Sequence, residues 1–163
     1  MARRAFFTFN YGRDIWRVNI VRNAWKVAGV NEIGGWYDAS IWEDAKSKGD
    51  AAIKRLINEG MKGSSVDVVL IGAETAGRKY VDYEIARARE LGKGIVGLRI
   101  HGLKNVTGKT DPAGRNPLDD HTAPGFLWDV RFSSLYKTYD YIWDNGYANL
   151  GRWIEEAAAA AGR

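Results

Sequence analysis

The clearest signal along the chain is a change of hydrophobic period. Val66–Ile71 reads Val-Asp-Val-Val-Leu-Ile, a β-branched apolar run bounded by Ser64-Ser65 and Gly72, which predicts a buried strand. Directly after it, Arg78–Leu91 sets Val81, Ile85 and Ala88 at helical spacing and predicts a helix with one core-facing stripe. The alternation extends both ways. Ala5–Phe9 predicts a first strand, and Arg13–Ala28 a helix with Val18, Val21, Trp25 and Ala28 on one face and Gly29 at its end. Ile33–Tyr37 predicts a second strand, closed by Asp38. Ile41–Glu59 predicts a helix through Ala45, Ala52, Ile53, Leu56 and Ile57, interrupted at Gly49-Asp50. Gly94–Ile100 reads as a fourth strand, Tyr139–Trp143 as a fifth, and Asn149–Ala161 as a last helix ending in an alanine run. Gly102–Gly125 has no period, holds all three prolines, and reads as a long polar loop, either a lid or disordered.

Strands alternating with helices predict one α/β domain over residues 1–163, a doubly wound, flavodoxin-like and mostly parallel sheet of five strands. Such sheets bind ligands beyond the carboxyl ends of their strands. That rule brings together Asn10-Tyr11-Gly12, Asp38-Ala39-Ser40 and Gly72–Gly77. Phe9, Asn10 and Tyr11 are thereby candidates to stack on and hydrogen-bond a ligand. Asp38 and Ser40 either join them or act as helix-cap and turn residues.

Composition narrows the chemistry. The 163 residues contain no cysteine, which excludes disulfides, thiolate catalysis and cysteine zinc sites. His101 and His121 are too few for a histidine metal site, so no metal is expected. The segment Met1–Phe7 lacks the apolar core of a signal peptide, and no run of about 18 apolar residues occurs, so a soluble, cytoplasmic protein without membrane contact is expected. The net charge of +4 is mild and interleaved along the chain, which argues against a nucleic acid partner; it suits a small anionic ligand or serves solubility alone.

Familiar motifs fail on inspection. Gly108-Lys109-Thr110 resembles the end of a phosphate loop, but the required earlier glycine is Leu103. Asn105-Val106-Thr107 fits a glycosylation sequon without a secretory context. No G-x-G-x-x-G, G-x-S-x-G or H-E-x-x-H is present. Glu84 is more informative. At about 100° per residue it lies at the border of the Val81/Ile85/Ala88 stripe, with Tyr80 one turn before it. Two readings are open: a partly desolvated carboxylate facing the ligand crevice, or a surface glutamate paired with Arg87 or Lys79. The seven tryptophans divide the same way, since Trp16, Trp36, Trp42 and Trp128 are either an exposed adhesive surface or core anchors.

The order Asp38, Ile41, Gly49-Asp50, Ile53, Leu56-Ile57, Ser65, then VDVVLIG and Tyr80-x-x-x-Glu84, resembles TIR domains. The longer spans FFTFNYGRDIWRVNIVRNAW, WYDASIWEDAKSKGDAAIKRLI, VVLIGAETAGRKYVDYEIARARELGKGIVGLRIH and YDYIWDNGYANLGRWIEEAA are similar to the TIR-like ThsB family of bacterial Thoeris anti-phage systems. The resemblance implies an enzyme that cleaves the nicotinamide–ribose bond of NAD. It implies further a cyclic ADP-ribose-type product that diffuses to a downstream effector. NAD is then the substrate and no separate cofactor is implied; association into homo-oligomers is also characteristic of TIR domains. The motif glutamate corresponds to Glu84, and the aromatic before it, often Trp in TIR enzymes, corresponds to Tyr80. A tyrosine keeps the aromatic wall but shortens it, which bears on substrate positioning. A catalytically silent TIR-like interaction module is the main alternative. A response-regulator or nucleotide-binding flavodoxin-like domain is another, opposed by Asn10 standing where an acidic cluster is needed.

Overall fold

The computed structural model describes residues 3–27 and 39–163. The elements are β1 (Ala5–Thr8), α1 (Tyr11–Val27), α2 (Ala39–Lys48), α3 (Asp50–Met61), β2 (Val66–Ile71), α4 (Lys79–Glu90) and β3 (Gly94–Arg99). They are followed by a 3₁₀ turn (Pro117–Asp120), β4 (Thr122–Ala123), β5 (Val130–Arg131), α5 (Phe132–Leu135), β6 (Thr138–Asp140) and α6 (Gly146–Ala160). Among the described residues the main sheet has four strands in the order β1-β2-β3-β6, all parallel, where five were expected. The expected strand Ile33–Tyr37, with Asp38 and Gly29, lies outside the described residues.

Every residue of β2 is buried, as a central parallel strand covered on both faces requires. Strand alternation sorts the two faces. Ala5, Phe7, Val68, Leu70, Val96 and Leu98 pack with Val18, Trp25 and Trp153 of α1 and α6. Phe6, Val69, Ile71 and Ile95 pack instead with Ile53 and Ile57 of α3 and with Val81 and Ile85 of α4. The domain is therefore doubly wound.

Three expected elements differ. The helix predicted over Ile41–Glu59 is two helices, because Gly49 takes φ 99°, a left-handed conformation that costs glycine nothing, and breaks the chain between α2 and α3. The fifth strand is shorter than predicted: β6 ends at Asp140, whose carboxylate accepts from the main-chain N–H groups of Ile142 and Trp143 and turns the chain. The stretch after Gly102 is not an open lid. It contains the 3₁₀ turn, capped by Asn116, and β4, which pairs antiparallel with β5.

A buried arginine holds that stretch down. Arg17 of α1 is only 1% exposed; it donates to the carbonyls of Leu103 (2.7 Å) and Lys109 (3.1 Å) and to Asp111 (2.8 Å), and it contacts Asp14 at 3.4 Å. Arg99 adds a bond to the Gly114 carbonyl at 2.7 Å. Gly72, at the end of β2, sits so close beneath the Asp14 carboxylate that no side chain fits there. Arg17→Met removes the charge but keeps much of the volume, leaving the buried Asp14 without its partner. Loss of about 3–5 kcal/mol is expected, read from urea midpoints. A loss below about 1 kcal/mol, within the range of an exposed ion pair, contradicts the clamp.

Candidate active site

The crevice opens at the carboxyl end of β1, between α2, α3 and α4. Phe9, Asn10, Tyr11 and Gly12 line one side, Trp42 and Lys46 of α2 another, Gly49, Asp50 and Ile53 a third, and Arg78–Val81 with Glu84 the fourth. Its volume is about 430 Å³, within the usual range of ligand sites, about 300–1,000 Å³. Four of its rings form a continuous wall. Phe9 stacks on Tyr11 with centroids 5.9 Å apart, Tyr11 on Trp42 at 5.7 Å, and Trp42 meets the edge of Tyr80 at 6.1 Å.

Glu84 is more enclosed than its border position on the helix suggested, being 6% exposed. The pairing with Arg87 or Lys79 does not occur. Arg87 bonds Glu90 and Asn58, and Lys79 binds Asp50 at 2.7 Å. Glu84 instead faces the sheet. There the Thr8 hydroxyl hydrogen-bonds it, and the Asp67 carboxyl lies close enough to raise its pKa. Burial, reinforced by the Asp67 charge, holds the Glu84 carboxyl well above the usual glutamate range, the Thr8 bond offsetting part of this. Asp67, 0% exposed, accepts from Thr8 Oγ1 at 2.9 Å, and burial pushes its carboxyl up to about 7.

Sequence reasoning overlooked Asp50, Trp42, Lys46, Arg78 and Lys79. Asp50 opens α3 and ties the wall together, accepting from the Tyr80 hydroxyl at 3.0 Å and binding Lys54 and Lys79 at 3.1 and 2.7 Å. Hydrogen bonds from Lys79, Lys54 and Tyr80 lower its carboxyl to about 2. The Gly49-Asp50 break was the available signal, read as an interruption and as part of the TIR resemblance but not as part of the site. Asn10 donates to the Glu74 carbonyl at 3.3 Å, so the segment after β2 meets the segment after β1 as expected. Ser40 is exposed in the first turn of α2 and does not line the crevice; Asp38 lies outside the described residues.

A second cavity, about 450 Å³, lies at the other end of β3 against Tyr139, Trp153 and Lys93. Its one carboxylate, Glu156, is exposed and paired with Arg152, so the buried carboxyl chemistry belongs to the Glu84 crevice. Among the described residues no three His, Asp or Glu side chains converge as a metal cage, and no helix is long and apolar enough to cross a membrane.

A parallel sheet covered on both faces, with an aromatic crevice at the end of its first strand and a glutamate from the helix after its central strand at the crevice floor, defines a TIR-like domain. Comparison refines the class. Residues 6–105 match the family described as Thoeris protein ThsB, TIR-like domain. The chain is also 35% identical, over 191 aligned positions, to a protein of Bacillus cereus (strain MSX-D12) named "Putative cyclic ADP-D-ribose synthase ThsB1"; the match spans 94% of this chain and 100% of the relative. The chain belongs to the ThsB TIR-like family.

The buried carboxyls make a prediction about stability. Both hold their protons more tightly folded than unfolded, so the stability they allow is complete below about pH 4, where an unfolded carboxyl is protonated too. It falls as pH rises through the folded value of about 7 for Asp67. Asp67→Asn keeps the shape and removes that titration. Urea midpoints are expected to match the wild type near pH 4 and to exceed it at pH 8. An Asp67→Asn midpoint that drops with pH as steeply as the wild type contradicts the burial argument.

Proposed function

We propose that this protein cleaves the nicotinamide–ribose bond of NAD and closes the remaining ADP-ribosyl group into a cyclic ADP-ribose isomer. That product is a diffusible signal for a downstream effector of a Thoeris defence system, made in the cytoplasm. The observation that carries this reading is Glu84, a desolvated carboxyl on the floor of an aromatic-walled crevice. The name of the Bacillus cereus relative, "Putative cyclic ADP-D-ribose synthase ThsB1", supports it.

The chemistry follows from the leaving group. Nicotinamide departs from NAD as a neutral ring, so its expulsion calls for no general acid, metal or second cofactor. Positive charge develops on the ribosyl carbon, and glycosyl transfer of this kind is assisted by a carboxylate. Glu84 supplies it in a water-poor site, where charge stabilisation is strongest. Phe9, Tyr11, Trp42 and Tyr80 stack the planar bases, and Asn10 hydrogen-bonds at the rim. Arg78 and Lys79 at the start of α4 and Lys46 of α2 line the crevice and attract the pyrophosphate. Enclosure then selects the acceptor. A hydroxyl or adenine nitrogen of the same molecule, held near the ribosyl carbon, acts at an effective concentration of about 10⁵ M or more and outcompetes water. Ring closure follows.

A catalytically silent association module is the second reading, favoured by one observation. Phe126, Leu127 and Trp128 stand exposed together on the β4–β5 connection. Nicotinamide release by the purified protein separates the two.

Glu84→Gln is expected to lower kcat for nicotinamide release by at least about 10²-fold while the fold persists. Full turnover in this variant removes Glu84 from the mechanism. Tyr80→Ala should raise KM more than Tyr80→Trp, since only the first removes the ring wall; equal effects exclude stacking by Tyr80. Mass spectrometry should find a main product lighter than linear ADP-ribose by one water, unchanged by EDTA. Linear product alone leaves a hydrolase in place of a cyclase.

A further inference from the structure

Asp67 stands in the middle of the central strand, and its side chain lies on the sheet face covered by α3 and α4, with Val69 and Ile71. Thr8, on the neighbouring strand, lies on the same face. Its hydroxyl donates to Asp67 Oδ1 at 2.9 Å and also hydrogen-bonds Glu84, while Asp67 Oδ2 has no hydrogen-bond partner. Lys93 is the cation that acts on Asp67, yet its Nζ is committed to the carbonyls of Met61 (2.9 Å) and Ser64 (2.6 Å). A hydroxyl has one proton to donate. With both carboxyls ionised, the seam would hold two buried like charges and one hydroxyl proton between them, leaving one carboxylate without that donor. With one proton added, the row is complete: a protonated carboxyl donates to Thr8 Oγ1, which donates to the other carboxylate.

We infer that Asp67, acting through Thr8, is a positioning residue that stores the proton of Glu84. The pair holds one proton, resting on Glu84 in the empty crevice and on Asp67 when the cationic pyridinium nucleotide lies against Glu84. The transfer balances within the row. The Glu84 O–H bond breaks as its proton joins the Thr8 oxygen, the Thr8 proton passes to Asp67, and net charge is unchanged. The inference rests on the reading of Glu84 as the carboxylate that faces the substrate. It explains how a carboxylate can be ready in a dry site without being buried as a bare charge in the free protein.

The other charged groups facing the site act elsewhere. Asp50 is bound to Lys54 and Lys79 and to the Tyr80 hydroxyl, Lys46 to Glu43 and Arg78 to Glu74, and all of them stand toward the crevice mouth.

The test is a side-chain carboxyl NMR titration of protein carrying ¹³C-labelled aspartate and glutamate, free and with carba-NAD, whose nicotinamide bond cannot be cleaved. In the wild type, Asp67 and Glu84 should titrate as a coupled pair in two separated steps. Asp67→Asn should leave Glu84 with a single step lower by at least about one pH unit, a tenfold change in proton affinity. Carba-NAD at pH 8, where Asp67 is ionised in the free protein, should move the protonated shift from Glu84 to Asp67. An unchanged Glu84 midpoint in Asp67→Asn, or an Asp67 ionised throughout, overturns the inference. If Asp67→Asn does not fold, Thr8→Val should uncouple the two titrations and Thr8→Ser restore them; coupling that survives Thr8→Val overturns it equally. The parent reading has its own readout. NAD cleavage by Glu84→Gln defeats the catalytic assignment while leaving coupled titrations standing, whereas an inactive Glu84→Gln beside independent titrations defeats the shared proton alone.

Discussion

Removing a carboxyl from water costs more than one side-chain hydrogen bond returns, and the seam between α4 and the sheet buries two of them around a single hydroxyl. Neither meets a dedicated counter-charge. The seam therefore keeps a demand for positive charge, and the crevice is the direction from which it can be met. The neighbours preserve that demand. Ile53 and Val81 line the crevice with Glu84, while Val69, Ile85 and Ile57 belong to the apolar cluster on the same face of the sheet. A wetter seam would let both groups ionise at their ordinary values and leave little driving force at the site.

Above this floor the aromatic wall depends on a different kind of interaction. Gly49 breaks what would otherwise be one helix, and the break lets α2 present Trp42 between Tyr11 and Tyr80. Asp50, the first residue beyond the break, then joins α3 to α4 through Tyr80 and Lys79. The Asp50 knot is exposed and acts by placing the Tyr80 ring; exposed ion pairs of this kind add little stability in water.

Arg17 shows the contrasting solution on the other face of the sheet. There a buried carboxylate, Asp14, is given a guanidinium, and the guanidinium is given two carbonyls and Asp111. Burial still holds Asp14 above its ordinary range, with the Arg17 charge offsetting part of the cost. The result fixes the stretch after β3 to α1 and leaves no charge to offer a ligand. One domain thus holds a buried carboxylate paired with a guanidinium, which ties α1 to the stretch after β3, and a buried carboxyl pair that has no such partner.

Much of this was legible along the chain because it depends on local periodicity. The β-branched run Val66–Ile71, the Val81/Ile85/Ala88 stripe and the one-turn spacing of Tyr80 and Glu84 specify a buried strand, a following helix and an aromatic beside a carboxylate without any long-range information. The Gly49-Asp50 break was visible too, though not its use. What needed the tertiary structure lies in pairings between distant segments. Thr8 and Asp67 are 59 positions apart, and Arg17 and Leu103 are 86 apart, so neither bond has a signature in a local window. The short β4–β5 pair and the early end of β6 likewise follow from turns and packing that outweigh the propensity of a few residues. Periodicity put Glu84 at the edge of an apolar stripe; only the approach of β1 and β2 decided that this edge is dry, because burial belongs to the surfaces that meet and not to the helix that carries the residue.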